Sequence, residues 1–272
     1  MNTIYEPAGK AVEYSPLALN LYRGCDHGCT YCYVPKQMKV YQPNYNHSQV
    51  IPRDGIIQQL EKDAKKIAYS DKQVQLSFTG DPYCKADEQH QLTRKALQIF
   101  FNNAIPVSIL TKGGKRALRD IDLFKQFGKN IKVGTTLTYD NSEQTKEKES
   151  GAASPSERIE MLKRLHENGI TTWVSIEPVI YPEQSLNLIR VSLPFTTHYK
   201  IGKLNHFEAW EKKIKWLKFL MESVNILRES NKSFYIKHDL RTFNDGSVVL
   251  SESESNPRSL FLVNTFPRAE LF

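Results

Sequence analysis

The sequence predicts an α/β fold: an open (βα)6 partial barrel, TIM-like in plan, with a small C-terminal extension. Two observations carry this. Short apolar segments of strand length alternate about six times with segments whose apolar residues recur every three or four positions, and such alternation argues for parallel strands joined by crossovers. Six units are also too few for a closed eight-strand barrel.

Residues 1–16 read as an irregular lead-in holding Pro7 and Pro16. Leu17–Arg23 is the first strand candidate. Asp54–Ala68 reads as a helix, with Ile57, Leu60, Ala64 and Ile67 on one face. Val74–Thr79 is the second strand and Glu88–Asn103 a helix with Leu92, Ala96 and Ile99 on one side. Val107–Thr111 is the third strand, Lys115–Phe127 a helix, and Ile131–Thr138 the fourth strand. The next helix is well marked. Ser154 is its N-cap, Pro155 its first residue and Glu157 the partner in a capping box, with Asn168-Gly169 closing it. Thr171–Ile176 is the fifth strand, Glu183–Val191 a short helix, and Tyr199–Ile201 the sixth strand. A long helix is expected over Phe207–Glu229 with Ile214, Leu217, Met221 and Val224 inward. The core is therefore placed at 17–230. Residues 231–272, with Phe234–Lys237 and Ser259–Val263 strand-like, form the extension. Asn141–Ser150 and Ser251–Ser255 read as solvated loops.

The chain has 272 residues, 40% hydrophobic and 25% charged, enough for a sizeable core. Net charge is +7 with a pI near 9.1, compatible with a polyanionic partner. No apolar run approaches the roughly 20 residues of a membrane span, and Met1–Lys10 has no signal-peptide core. The expected location is cytoplasmic.

Three of the four cysteines, Cys25, Cys29 and Cys32, fall at C-x3-C-x2-C spacing within Gly24–Tyr33. Clustered thiols fit a reducing compartment better than a disulfide framework. Thiolates suit iron-sulfur clusters, zinc or Cu(I). Three donors leave a structural zinc site one short, unless His27 or His47 completes it. A 4Fe-4S cluster normally takes four cysteines, so three would leave one iron open to an outside ligand.

This loop, with Tyr31 before the third cysteine, resembles the signature of radical S-adenosylmethionine (radical SAM) enzymes. The resemblance spans about residues 15–205 and lies nearest the spore photoproduct lyase and DNA repair photolyase-like group. It rests also on Thr79-Gly80-Asp81-Pro82-Tyr83, Ile109–Lys112, Arg119-Asp120, Gly134–Thr138, Ser154–Ile159 and Tyr199–Leu204. The resemblance implies the (βα)6 fold. It implies a 4Fe-4S cluster on Cys25, Cys29 and Cys32 whose open iron is chelated by S-adenosylmethionine. Reductive cleavage of S-adenosylmethionine then gives a 5'-deoxyadenosyl radical that abstracts hydrogen from a substrate. Gly80 and Asp81 stand where the family has Gly-Gly-Glu-Pro and would hold the amino group of the cofactor, with Asp in place of Glu. Lys112, Thr136, Thr138, Glu177 and Lys203 lie at strand ends and are expected to supply contacts to its ribose or carboxylate. A flavodoxin- or ferredoxin-type protein is the expected reductant, and a nucleic acid or nucleotide the expected substrate.

Cys84 is a candidate hydrogen donor or a packed apolar residue; the donor cysteine of spore photoproduct lyase aligns instead with Phe78. Tyr22, Tyr31, Tyr33, Tyr41 and Tyr45 either shield a cluster or stack bases. Lys212, Lys213, Lys215 and Lys218 read as a solvated face or a polyanion contact. Two other functions fit less of the chain: a zinc or electron-transfer module that binds nucleic acid, and a radical SAM enzyme acting on a small metabolite. Residues 85–272 hold no cysteine, which removes a second all-cysteine cluster.

Overall fold

The computed structural model describes residues 3–267; residues 1–2 of the lead-in and 268–272 of the extension lie outside the described residues. Seven parallel strands form one sheet: β1 (Leu17–Leu19), β2 (Val74–Leu76), β3 (Val107–Thr111), β4 (Ile131–Thr136), β5 (Thr171–Ile176), β6 (His198–Ile201) and β7 (Ser233–Ile236). Each pairs with its predecessor in the chain, so spatial order repeats chain order, and β1 and β7 are the edges. The expected fold is thus present with one strand more than six. The seventh comes from the segment expected to be extension.

Helices α1 (Val34–Tyr41), α2 (Ile56–Lys66), α3 (Leu92–Asn102), α4 (Ile121–Phe127), α5 (Ser142–Lys148), α6 (Pro155–Glu167), α7 (Pro182–Ser192) and α8 (Trp216–Glu229) fill the connections. Val107, Ile109, Ile131, Val133, Val174, Ile176 and Ile201 join the helix faces in one apolar core. The alternate residues are buried yet polar: Gln75, Ser108, Lys132, Ser175, His198 and Lys200. The period-two alternation of strands therefore divides an oily outer layer from a polar barrel interior.

Several boundaries depart from expectation for local reasons. Only Leu17–Leu19 of the first strand joins the sheet; Tyr22–Arg23 leaves it to pair with Ile51–Pro52, closing the loop that carries the cysteines. The second strand stops at Leu76 because Asn20 Oδ1 accepts from the amides of Phe78 and Thr79 at 2.8 and 3.0 Å and turns the chain out of the ladder. The helix expected over 88–103 is interrupted at Gln91, whose φ is +51°. Lys115–Phe127 begins as a tight 3-10 turn, Gly114–Asp120. The long helix breaks before Trp216, whose indole donates to Glu211 O at 3.0 Å. The break resets its phase: Trp216, Phe219, Leu220, Val224 and Leu227 face the core, while Met221 is 39% exposed. Asn141 caps α5 by accepting from Gln144 N at 2.9 Å, so that stretch is not a loop. Ser251–Ser255 is a capped helical turn, and 259–263 holds no strand.

The C-terminal segment covers the amino-terminal end of the barrel. Leu262 N donates to Gln73 Oε1 (2.8 Å), Asn264 Nδ2 to the carbonyls of Ser70 and Ala104 (2.8 Å each), and Thr265 N to Asn130 Oδ1 (2.7 Å). Lys132, inside the barrel, donates to Leu260 O. Among the described residues no helix is long and apolar enough to cross a membrane.

Candidate active site

The cysteine loop leaves the sheet at the carboxyl end of β1 and is fastened by close backbone approach. Gly24 has φ +81°, and a Cβ there would stand 2.3 Å from Gln49 O. A Cβ on Gly80, in the turn after β2, would meet Gly24 O at 2.8 Å, so the two glycines let the turns touch. Cys25 N donates to His47 O at 2.7 Å and Cys32 N to Cys29 O at 3.1 Å. All three cysteines are free and half-buried.

Asp81 sits at the junction of this loop with the ends of β2 and β3. Its Oδ1 accepts from Tyr83 N (2.8 Å) and Thr111 Oγ1 (2.6 Å), and its Oδ2 from Lys112 N (2.7 Å). His27 Nδ1 lies 3.4 Å from Oδ2. His27 is itself buried, with Arg116 Nη2 donating to Nε2 at 3.0 Å. Burial holds its imidazole well below the usual value, against the pull of Asp81. His27 therefore serves the loop and is not a fourth cysteine-side ligand. His47 bonds Tyr45 through Nδ1 (3.0 Å) and lies 3.7 Å from Cys32 Sγ through Nε2.

A second anchor is the buried acid Glu149. The segment after α5 runs beside the cysteine loop: Cys29 and Glu149 form a β-bridge, Thr30 N donates to Lys148 O (2.9 Å) and Gly151 N to His27 O (3.0 Å). Glu149 and Arg158 are 0% and 1% exposed and paired. Tyr31 OH donates to Glu149 and lies 3.2 Å from Thr138 Oγ1. Arg158 also donates to Thr136 O (3.0 Å) and Ala153 O (2.9 Å). Lys112 completes the group, with Nζ 3.6 Å from Glu149, 4.9 Å from the Tyr31 ring centre and 3.8 Å from Cys29 Sγ. The structure thus gathers Cys25, Cys29, Cys32, Tyr31, Gly80, Asp81, Lys112 and Thr138 on the β1–β4 side.

Glu177 and Lys203 belong to another group, on the β5–β7 side. Glu177 accepts from Tyr14 OH at 2.7 Å and from Lys237 Nζ at 2.5 Å, and Lys203 is paired with Glu211. Thr136 offers its carbonyl to Arg158 and is 7% exposed. Cys84 is packed in the core at 1% exposure, and burial pushes its thiol up to about 12. Tyr22 is buried against Asp87, whereas Tyr41 is 82% exposed, so the five tyrosines are not one patch. His27 stands out in the sequence only as a possible zinc ligand, and the roles of Glu149 and Arg158 are hidden from sequence reading. Glu149 stands in a Glu- and Lys-rich stretch that looks solvated, and Arg158 has the spacing of a surface helix residue.

The donor set suits an iron-sulfur cluster. Among the described residues no three His, Cys, Asp or Glu side chains converge as they would on a single ion, while three free thiols share one short loop with an ammonium beside Cys29. Burial pushes the Cys29 thiol up to about 11 and Lys112 opposes this, so binding must displace protons.

The solved structures that resemble this chain share its fold. A single-site mutant of spore photoproduct lyase superposes with a TM-score of 0.64 at 12% identity, covering 88% of this chain and 80% of its own. SuiB of Streptococcus suis with its precursor peptide SuiA gives 0.58 at 18% identity, covering 86% and 53%. An uncharacterised protein of Methanocaldococcus jannaschii is 32% identical over 188 residues, 69% of this chain and 70% of that one. An uncharacterised protein of Mycobacterium tuberculosis is 25% identical over 167 residues, 60% of this chain and 49% of that one. The chain thus spans about half the length of SuiB and of the mycobacterial relative. The family model of the radical SAM superfamily matches residues 19–191, the stretch that holds the cysteine loop and both of its anchors, and the chain belongs to that superfamily.

Proposed function

We propose that this protein is a radical SAM enzyme that abstracts a hydrogen atom from a nucleotide or nucleic acid. Cys25, Cys29 and Cys32 would hold a 4Fe-4S cluster, with S-adenosylmethionine completing its coordination. When bound and reduced by one electron from a flavodoxin- or ferredoxin-type donor, this pair supplies the 5'-deoxyadenosyl radical and methionine. The observation that carries the reading is the set of three free thiols on one anchored loop, with the Lys112 ammonium 3.8 Å from Cys29. Lys112 would meet the cofactor carboxylate. Tyr31, locked by Glu149 and Thr138, walls that side of the site.

The substrate class draws support from the rim. Half-buried Tyr181 and exposed Trp210 follow β5 and β6 with ring centres 5.7 Å apart, and buried Tyr139 after β4 backs Tyr181 at 6.2 Å. Lys213 Nζ lies 5.6 Å from the Trp210 ring. Aromatic steps beside cations stack bases and meet phosphates. A spore photoproduct lyase mutant of like fold, at 14% identity and TM-score 0.58, was solved with AdoMet and dinucleoside spore photoproduct.

The test is anaerobic. Protein reconstituted with iron and sulfide, reduced with dithionite and given S-adenosylmethionine is expected to release 5'-deoxyadenosine, and more of it with oligonucleotide present. A Cys25, Cys29 and Cys32 triple Ala variant is expected to bind no cluster and release none. A variant that keeps its iron refutes the ligand assignment.

A further inference from the structure

We infer that Asp81 holds the cysteine loop in position and does not ligate the amino group of S-adenosylmethionine. This rests on the radical SAM reading of the same site and assigns one of its residues a different task. A carboxylate offers about four acceptor positions. Tyr83 N and Thr111 Oγ1 take Oδ1, and Lys112 N takes one position on Oδ2. The fourth faces His27 Nδ1 at 3.4 Å. Asp81 is only 6% exposed, so an incoming ammonium would have to break one of these three bonds or come between Oδ2 and His27 Nδ1.

The fourth partner gives the arrangement its purpose. His27 stands two residues from both Cys25 and Cys29. A guanidinium only donates, so the bond from Arg116 Nη2 to His27 Nε2 makes that nitrogen the acceptor and leaves the proton on Nδ1, which faces Asp81. Arg116, His27 and Asp81 therefore form a directional chain from the 3-10 turn after β3, through the cysteine loop, to the turn after β2. Gly151 N, donating to His27 O, clamps the same residue from the other side. Asparagine at position 81 keeps one acceptor oxygen, and its amide hydrogens then face donors whichever way it turns.

Two measurements on Asp81→Asn test this. In the metal-free protein, amide hydrogen exchange over residues 24–33 is expected to quicken by at least tenfold. In the reconstituted protein, the electron paramagnetic resonance spectrum of the reduced cluster is expected to change before any S-adenosylmethionine is added. His27→Gln, which leaves Asp81 in place, is expected to reproduce both effects. Wild-type exchange rates and an unchanged cofactor-free spectrum in Asp81→Asn overturn the inference, above all if affinity for S-adenosylmethionine alone falls tenfold or more. Should Asp81→Asn not fold, His27→Gln decides by the same two readouts. A wild-type protein that takes up no iron refutes the cluster reading instead, and the metal-free exchange experiment still judges Asp81.

Discussion

Glu149 and Arg158 are opposite charges at 0% and 1% exposure, and neither has water to fall back on. Removing one partner of such a pair typically costs about 3–5 kcal/mol, because the other is left charged and uncompensated. Arg158→Met is therefore expected to destabilise the fold by about that amount, and Glu149→Gln by less, as read from urea unfolding at neutral pH. Similar losses from both would show that the charge on Glu149 is not the issue. Lys132 raises a different question, since it is a buried cation with a carbonyl for company. Burial pushes its ammonium down to about 7, from an ordinary 10.5. Below pH 7 both folded and unfolded chains are protonated there, and the folded state carries the whole cost of the buried charge. Between pH 7 and 10.5 the unfolded chain binds the extra proton, so this group makes stability rise with pH. Lys132→Met is thus expected to gain most over wild type near pH 6 and to lose that advantage by pH 10. Denaturant midpoints at the two pH values check it, and a difference that grows with pH would refute it.

Elements were legible where their signals are local. The capping box on α6 is present as read, Ser154 accepting from Glu157 N while Glu157 reaches back to Ser154 N. Ser154→Ala is expected to cost about 1 kcal/mol, measurable by thermal unfolding. The cysteine spacing, the turn after β2 and the six expected strands owe their visibility to the same locality. What failed to show was set by partners distant in sequence. Nothing near Tyr22 says that it will leave the sheet for Ile51–Pro52, and nothing around Glu149 separates it from its solvated neighbours. Lys132 and Lys200 interrupt apolar strands, yet only the curve of the sheet turns them inward. Gly151 is such a residue in miniature. A Cβ there would stand 1.9 Å from Asp26 O, so Gly151→Ala is expected to push the Glu149 segment off the cysteine loop. Iron uptake should fall severalfold with the far-ultraviolet circular dichroism unchanged; full uptake would refute the contact.

At the scale of the molecule, the chemistry is split across the sheet. The cysteines and their two anchors lie over β1–β4, and the Glu177, Lys203, Lys237 and Tyr14 group over β5–β7. Variants in the second group are accordingly expected to change substrate response more than cluster content. Glu177→Gln should keep wild-type iron and alter the stimulation of S-adenosylmethionine cleavage by oligonucleotide; lost iron would place it with the first group. Opposite these loops, residues 260–265 close the far end of the barrel. That closure has a consequence for how the chain is made. Strands emerge from the ribosome in the order in which they pair, so each finds its neighbour already waiting. Yet Lys132 meets its carbonyl partner only when Leu260 arrives, on the order of ten seconds later at ordinary synthesis rates. Through that interval the nascent sheet is assembled but unplugged, with its polar interior open to water, until residues 260–265 arrive to seal it.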